Sequence, residues 1–204
     1  MSEINRIAEE INKIAEEIQI LYDDFIKNNS KKMEKIINHL DENKIEVKNY
    51  DNEVEINNLN QDSWGVYVFY IEPKIDIVGY DDFKKLWEID HNGNTIKYIP
   101  RAKKYKKSCE KFKPLEREKE RCFYVGKSQD LIQRIREHIN SKTSESTYAL
   151  KLSKQKKILE NAVFKYSYFC LTKEKPKDKD SMNFLLEILE KKIRKELRPL
   201  IGKQ

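Results

Sequence analysis

Apolar residues spaced three and four apart dominate the first 25 positions of the chain. They are Ile4, Ile7, Ile11, Ile14, Ile18, Leu21 and Phe25. This heptad spacing predicts a long helix with a continuous apolar seam. A second helical pattern from Ser30 to Leu40 follows at once and could fold back on the first helix as a hairpin. Dimerisation through the seam is the alternative, and the pattern leaves both open.

The positions beside the seam are acidic on one side and mostly small on the other. In heptad notation, Glu10, Glu17 and Asp24 fall at g, whereas Ala8, Ala15 and Tyr22 fall at e. Because the acidic g positions face no basic e positions, a parallel dimer gains no ion pairs between chains. The alanines widen the apolar face, which favours packing in a hairpin or bundle.

Three later runs of β-branched and aromatic residues predict strands at 65–71, 121–126 and 162–171. An Asn- and Asp-rich connector precedes them, with a short strand predicted at Ile45–Val47 or Val54–Ile56. A long segment, residues 72–120, separates the first two strands. Within it, the sequence predicts a short helix over Asp81–Ile89 and a hairpin turn at His91–Asn94.

Three further helices are predicted in the second half of the chain. They cover Gln129–His138, Thr147–Glu160 and Ser181–Arg198, the last ending before a proline. In the first of them, Arg134 and His138 are i,i+4 neighbours and lie on the same side of the helix. Beside them lies an apolar stripe that would pack the helix against the rest of the domain. It consists of Leu131, Ile135 and Ile139.

Composition adds a charge asymmetry to this outline. The 204 residues suffice for one domain and an appendage, with 38% hydrophobic residues and a net charge of +6. Residues 1–60 hold 8 Lys+Arg and 14 Asp+Glu, which leaves 33 and 21 for the rest of the chain. The basic part therefore predicts a polyanionic partner, with a lysine-biased coding sequence as the alternative explanation.

The cysteines and the hydropathy of the chain indicate the cellular compartment in which the protein works. Three cysteines without a CxxC pair indicate reduced thiols rather than a disulfide framework or a zinc site. The sequence shows neither a signal peptide nor a transmembrane run. We therefore expect a cytoplasmic protein with no membrane partner.

A basic segment within residues 72–120 is the strongest candidate for contact with nucleic acid. Tyr98, Tyr105 and Phe112 are interleaved among its cations, an arrangement in which charges meet phosphates and rings stack on bases. A solvated loop is the alternative. The candidate binding residues are Lys97, Arg101, Lys103, Lys104, Lys106 and Lys107.

The last helix offers two candidate carboxylates for a metal. Glu187 falls on the polar side with Lys191, Arg194 and Arg198, where i,i+4 ion pairs account for it. Glu190 lies instead at the edge of the apolar stripe, partly removed from water. A carboxylate there needs a positive partner, and a metal ion is one.

Taken together, these residues resemble the motifs of the GIY-YIG nuclease superfamily. The motifs are Gly65-Val66-Tyr67, Tyr124-Val125-Gly126-Lys127, Arg134, His138 and an acid, Glu190, nine residues before Pro199. The resemblance covers residues 63–71 and 121–202. It implies an α+β domain at 63–204 with a three-stranded antiparallel sheet flanked by helices and an insertion at 72–120. Residues 1–43 would form a helical hairpin or coiled-coil appendage, and 44–62 a connector.

The resemblance also implies a reaction and roles for residues. Family members hydrolyse phosphodiester bonds with one divalent cation, Mg²⁺ or Mn²⁺, which Glu190 would bind here. Arg134 would hold the scissile phosphate, Tyr67 and Tyr124 would line the water site, and His138 would assist proton transfer. Lys127 would lower a tyrosine pKa or contact phosphate. Gly65 and Gly126 would be structural, and the identity of the general base stays open.

Two departures from the family pattern stand out. Gly202 occupies a place where relatives commonly carry Asn, and the insertion at 72–120 is long, as in restriction-enzyme members. We therefore expect a metal-dependent endonuclease that acts on double-stranded DNA, of restriction or other defence type. The alternatives are a catalytically weak nucleic-acid-binding protein of the same fold, or the nuclease subunit of a larger assembly joined through residues 1–40.

Overall fold

The computed structural model describes residues 3–48, 59–60, 62–87, 113–140 and 149–202. These residues form six α-helices and one four-stranded antiparallel sheet, so the predicted α+β class is confirmed. Among them, no helix combines the length and the apolar character needed to cross a membrane. The helices are α1 Glu3–Asn28, α2 Ser30–Glu42, α3 Tyr80–Trp87, α4 Leu131–Ile139, α5 Lys156–Asn161 and α6 Lys179–Leu197. The strands are β1 Ile45–Glu46, β2 Trp64–Pro73, β3 Arg121–Ser128 and β4 Ala162–Thr172.

The sheet has the order β1-β4-β2-β3, so β4 and β2 are its two inner strands. The three-stranded sheet expected from the sequence is therefore corrected to four strands. Ile45 and Glu46 extend it by pairing with Tyr166 and Lys165 of β4. This confirms the first of the two alternative positions for a short strand in the connector, while 54–56 and the turn at 91–94 lie outside the described residues.

Residues opposite each other in neighbouring strands share a face of the sheet. Tyr67 of β2 is opposite Gly126 of β3 and Tyr168 of β4, whereas Val66 is opposite Lys127. The Tyr67 face carries the main hydrophobic core, to which α3, α4 and α5 contribute buried side chains such as Trp87, Ile135 and Ile158. On α4 the predicted apolar stripe is confirmed, because Leu131, Ile135 and Ile139 are fully buried.

The opposite face of the sheet is covered by α6. This helix packs on β3 and β2 and buries Leu186, Leu189 and Ile193. A carboxylate of α6, Glu187, pairs with Lys127, whose side chain lies on that face. The sheet therefore separates the α4 side chains from the α6 side chains, and the two groups can meet only at its edge.

A bulge in the β2–β3 pairing turns two consecutive aromatic side chains to one face. Phe69 pairs with Tyr124, but Tyr70 pairs with Cys122, so Phe123 is the extra residue. Phe123 is fully buried in the main core, and Tyr124 packs against the same core from a partly buried position. Bulges of this kind re-aim side chains next to functional sites.

The N-terminal region does not form the helical hairpin that the sequence allowed. Only Asn29 separates α1 from α2, and it continues the i→i−4 pattern: its N–H donates to the Phe25 carbonyl, and its carbonyl accepts from Met33. An antiparallel hairpin needs a connection of about 2–5 residues to reverse the chain. Residues 1–38 and 39–204 form two compact units, with the boundary inside α2.

The helix predicted at Thr147–Glu160 is shorter than expected. Residues 152–154 form a 3₁₀ turn, and α5 begins only at Lys156. Lys151 adopts a left-handed conformation with φ of 50°, which interrupts any helix. The reason lies in tertiary contacts: Leu152 and Ser153 are buried, and the Leu150 backbone N–H donates to His138 instead of to a helical carbonyl.

Candidate active site

The Tyr67 hydroxyl lies at the centre of the candidate site. Tyr67 is only 1% exposed and projects from β2 toward α4. Its oxygen lies 2.8 Å from His138 Nε2 and 3.4 Å from Arg134 Nε. Two residues one helical turn apart therefore reach the same hydroxyl, as their i,i+4 spacing predicted.

A backbone contact fixes the tautomer of His138. The Leu150 N–H donates to His138 Nδ1 at 3.0 Å, so Nδ1 carries a lone pair and no proton. In the neutral ring the proton then resides on Nε2, which donates to the Tyr67 oxygen. The Arg134 Nε–H is the second donor to that oxygen. Tyr67 thus accepts two hydrogen bonds and keeps its own O–H to donate.

The His138 ring and the Tyr67 hydroxyl are both neutral near pH 7. Complete burial, and secondarily the positive charge of Arg134, lower the pKa of His138 well below its usual value. Burial likewise raises the pKa of Tyr67 well above its usual value, and Arg134 offsets only part of that effect. The sequence led us to expect cations to lower a tyrosine pKa at this site, but for Tyr67 desolvation is the larger effect.

Tyr124 is the second tyrosine of the site, and unlike Tyr67 it is only partly buried. Its ring stacks on Tyr67 with centroids 6.1 Å apart and lies 5.0 Å from the His138 ring. Gly126 makes this arrangement possible. A Cβ there would overlap the Tyr67 hydroxyl and lie 2.5 Å from Tyr67 Cζ and 3.0 Å from Tyr124 Cε1.

Arg134 is oriented from two sides. Its Nη1 lies 2.7 Å from a carboxylate oxygen of Glu137, and its Nε contacts Tyr67. These partners raise the pKa of Arg134 despite its burial, so the guanidinium stays charged. The side chain keeps 22% exposure. Sequence reasoning missed Glu137, although the i,i+3 spacing to Arg134 was a usable signal.

A second group of charges lies on the other face of the sheet, between β3 and α6. Lys127 pairs with Glu187 at 2.8 Å, and Arg194 pairs with Glu190 at 3.0 Å. Arg194 also donates to the Val125 carbonyl at 2.8 Å. The sequence placed Arg194 beside Glu187 and Lys127 beside the tyrosines. In the structure, Lys127 of β3 instead pairs with Glu187 of α6, and Arg194 pairs with Glu190 one turn earlier in the same helix.

Glu190 is a largely buried carboxylate, as its place at the edge of the apolar stripe predicted. Its side chain is 19% exposed. Burial raises its pKa, while Arg194 and then Lys127 oppose that shift. The carboxylate thus lies near two cations that offset part of the effect of burial on its pKa.

Gly202 lies beside a residue of each group, Tyr124 of the tyrosine cluster and Arg194 of the charged group. The chain after α6 follows the outer edge of β3, where Leu200 and Ile201 N–H groups donate to the Cys122 and Phe123 carbonyls. A Cβ at Gly202 would lie 3.5 Å from Tyr124 Cε2 and 3.6 Å from Arg194 Nη2. Its φ of +132° favours glycine, which gives a conformational reason for glycine at this position.

The predicted site residues therefore fall into two groups. The structure brings Tyr67, Tyr124, Arg134, His138 and Gly126 together. Lys127 and Glu190 lie across the sheet edge. Gly65 is packed so closely that a Cβ would lie 2.7 Å from Leu131 Cδ1, as expected of a structural glycine. The predicted nucleic-acid contacts Lys97, Arg101, Lys103, Lys104, Lys106 and Lys107 lie outside the described residues.

Comparison with known proteins does not assign the chain to a family. No family model, curated protein or solved structure matches it. The case for any function thus rests on the residues and their geometry.

The donor set near α6 fits one kind of metal site only. The described residues contain no cluster of three or more His, Cys, Asp or Glu side chains that could enclose a metal. Mg²⁺, however, keeps several waters and is often held by one or two carboxylates together with substrate phosphates. Glu190, a carboxylate near the edge shared with Tyr124, fits that role, although Arg194 already occupies one of its oxygens.

Proposed function

We propose that the protein is a metal-dependent endonuclease that hydrolyses phosphodiester bonds in DNA, of the kind used in restriction or other defence. The observation that carries the proposal is the Tyr67 hydroxyl, held by donors from His138 and Arg134 beside the partly exposed Tyr124. Phosphodiester hydrolysis needs a cation for the phosphate oxygens and oriented groups for the attacking water. This cluster contains both.

The geometry distributes the roles among the four residues. Arg134, charged and still partly exposed, would hold a non-bridging phosphate oxygen. His138 is a poor general base, because Leu150 N–H occupies Nδ1 and the Nε2 proton is donated to Tyr67. Tyr67 is buried and keeps its proton, so it would orient Tyr124. Tyr124 is then the tyrosine that faces the substrate and the water.

Glu190 would hold the divalent cation, Mg²⁺ or Mn²⁺, which supplies charge neutralisation at the phosphate when bound. Burial raises the pKa of this carboxylate, and the charges of Arg194 and Lys127 favour its ionised form and offset part of that shift. Because Arg194 competes for Glu190, we expect the cation to bind weakly without DNA.

Cleavage of a supercoiled plasmid in the presence of Mg²⁺ tests the proposal. Arg134→Ala and Glu190→Gln should each lower the cleavage rate by about a hundredfold or more, the usual effect of removing one group that stabilises charge in the transition state. Matched controls are Arg117→Ala and Glu196→Gln, which remove exposed ion-pairing groups away from the cluster. The controls should cleave like the unaltered chain, and equal rates in all five proteins would refute the assignment.

A second candidate is a nucleic-acid-binding protein with little cleavage. The observation in its favour is the Arg194–Glu190 ion pair, which occupies the carboxylate that a metal would need. DNA binding that weakens steeply with salt, without cleavage under Mg²⁺ or Mn²⁺, would support this candidate. Arg194→Gln would then be informative, because freeing Glu190 should raise cleavage if metal access is the limit.

A further inference from the structure

The apolar seam of α1 is exposed from Ile4 to Leu21. Ile4, Ile7, Ile11, Ile14, Ile18 and Leu21 are between 47% and 76% exposed, and α1 buries none of its residues. Its neighbour α2 cannot fold back onto the seam, because a single residue joins the two helices. An apolar stripe of this length in water needs a partner.

We propose that α1 associates in parallel with the α1 helix of another copy of this chain. The seam repeats every 3.5 residues on average over three heptads, which is the pattern of a helix that supercoils with a like helix. The helix spans 26 residues, so every heptad of the seam lies inside it. Isoleucine at both a and d favours three or four strands over two.

The charges beside the seam favour a parallel over an antiparallel orientation of two copies. In a parallel arrangement each g residue faces an e residue of the neighbour, so Glu10 faces Ala15 and Glu17 faces Tyr22. No like charges oppose each other. In an antiparallel arrangement g residues face g residues, and Glu10, Glu17 and Asp24 would repel their counterparts. The small Ala8 and Ala15 also allow close approach beside the seam.

Opposite charges placed at one e position provide a matched test on the full chain. Ala15→Lys would face Glu10 of a parallel neighbour, whereas Ala15→Glu would oppose it. Lys and Glu have similar helix propensities, and neither would gain an i,i+3 or i,i+4 ion pair within its own helix. In sedimentation equilibrium, Ala15→Lys should strengthen association and Ala15→Glu should weaken it, each by about twofold to fivefold per helix pair.

A cysteine near one end of the seam tests orientation. In a parallel assembly Ile7→Cys lies opposite its own counterpart and should form a disulfide between chains under mild oxidation. In an antiparallel one it faces the far end of the seam. The unaltered chain, with its three native cysteines, is the control for other crosslinks.

The outcomes separate the proposal from its competitors. An assembly that shifts with the two Ala15 variants as described, with Ile7→Cys crosslinking above the control, supports it. A chain that stays monomeric over the measured concentrations overturns it, and the seam would then serve a different partner. An assembly insensitive to the charge at position 15, or one that Ala15→Glu strengthens, overturns it as well.

Discussion

At the scale of single residues, the site depends on one hydroxyl whose surroundings are unusually well specified. Tyr67 accepts from His138 and from Arg134, and His138 in turn accepts from the Leu150 backbone. Each polar atom in this chain of contacts has a defined role as donor or acceptor. Removal of one member of such a buried network leaves another unpaired at a cost of about 1–3 kcal/mol.

The buried neutral histidine predicts a pH-dependent stability. The folded-state pKa of His138 lies well below its value of about 6.5 in an unfolded chain, so the unfolded state binds the proton first. The stabilisation is complete above pH 6.5 and is lost as pH falls from there, with a slope of up to about 1.4 kcal/mol per pH unit. Denaturant unfolding between pH 7.5 and about 5 measures it.

The control for this pH dependence is the variant His138→Gln. It should flatten the pH dependence, because it removes the group whose pKa differs between the folded and unfolded states. A slope that survives His138→Gln would show that other groups cause it.

Gly126→Ala probes how closely the site is packed. The new Cβ would overlap the Tyr67 hydroxyl and press on Tyr124, so the free energy of unfolding should fall by about 1–3 kcal/mol. Gly79→Ala is the matched control, because a Cβ there meets nothing within 4 Å. Thermal unfolding of both variants measures the difference, and equal melting temperatures would contradict the packing argument.

At the scale of elements, the site depends on the chain segment that covers the outer edge of β3. An edge strand exposes unpaired backbone groups, and here residues 199–202 cover part of that edge through the Leu200 and Ile201 N–H groups. The same segment sets Gly202 against Tyr124. The end of the chain after α6 thus contributes to both stability and the shape of the site.

Ile201→Ala tests the contribution of this edge segment. Ile201 is 1% exposed, so truncation to Ala should lower the free energy of unfolding by about 2–5 kcal/mol. Ile75→Ala, at a position that is 41% exposed, should change it much less. Urea unfolding of both variants gives the comparison, and similar midpoints would mean that the edge segment adds little.

At the scale of the whole molecule, the chain divides its tasks between two units. Every described residue of the candidate site lies within 39–204, and the uncovered seam lies within 1–38. The proposed association and the proposed chemistry therefore belong to different units.

A chain that begins at Ser30 keeps all of α2 and lacks α1. We expect it to lose concentration-dependent association, measured by light scattering, because the seam is gone. Its cleavage of plasmid DNA per chain should persist under conditions where the full chain is monomeric. Loss of that cleavage, with the fold retained by circular dichroism, would mean that α1 is part of the site.

The sequence by itself determined the elements and much of the residue set. The heptad spacing gave α1, the apolar stripe gave the buried face of α4, and β-branched runs gave the three long strands, because these patterns express local periodicity. The convergence of Arg134 and His138 also followed from their spacing, since i,i+4 residues share a helix face.

Only the tertiary structure decided how those residues act. The tautomer of His138 depends on a backbone N–H twelve residues away, the position of Tyr124 on a bulge, and the partner of Lys127 on a helix sixty residues later. Sequence patterns record which face of an element is apolar. They do not record which backbone groups or side chains the packed chain brings to that face, because those contacts depend on the path of the whole chain.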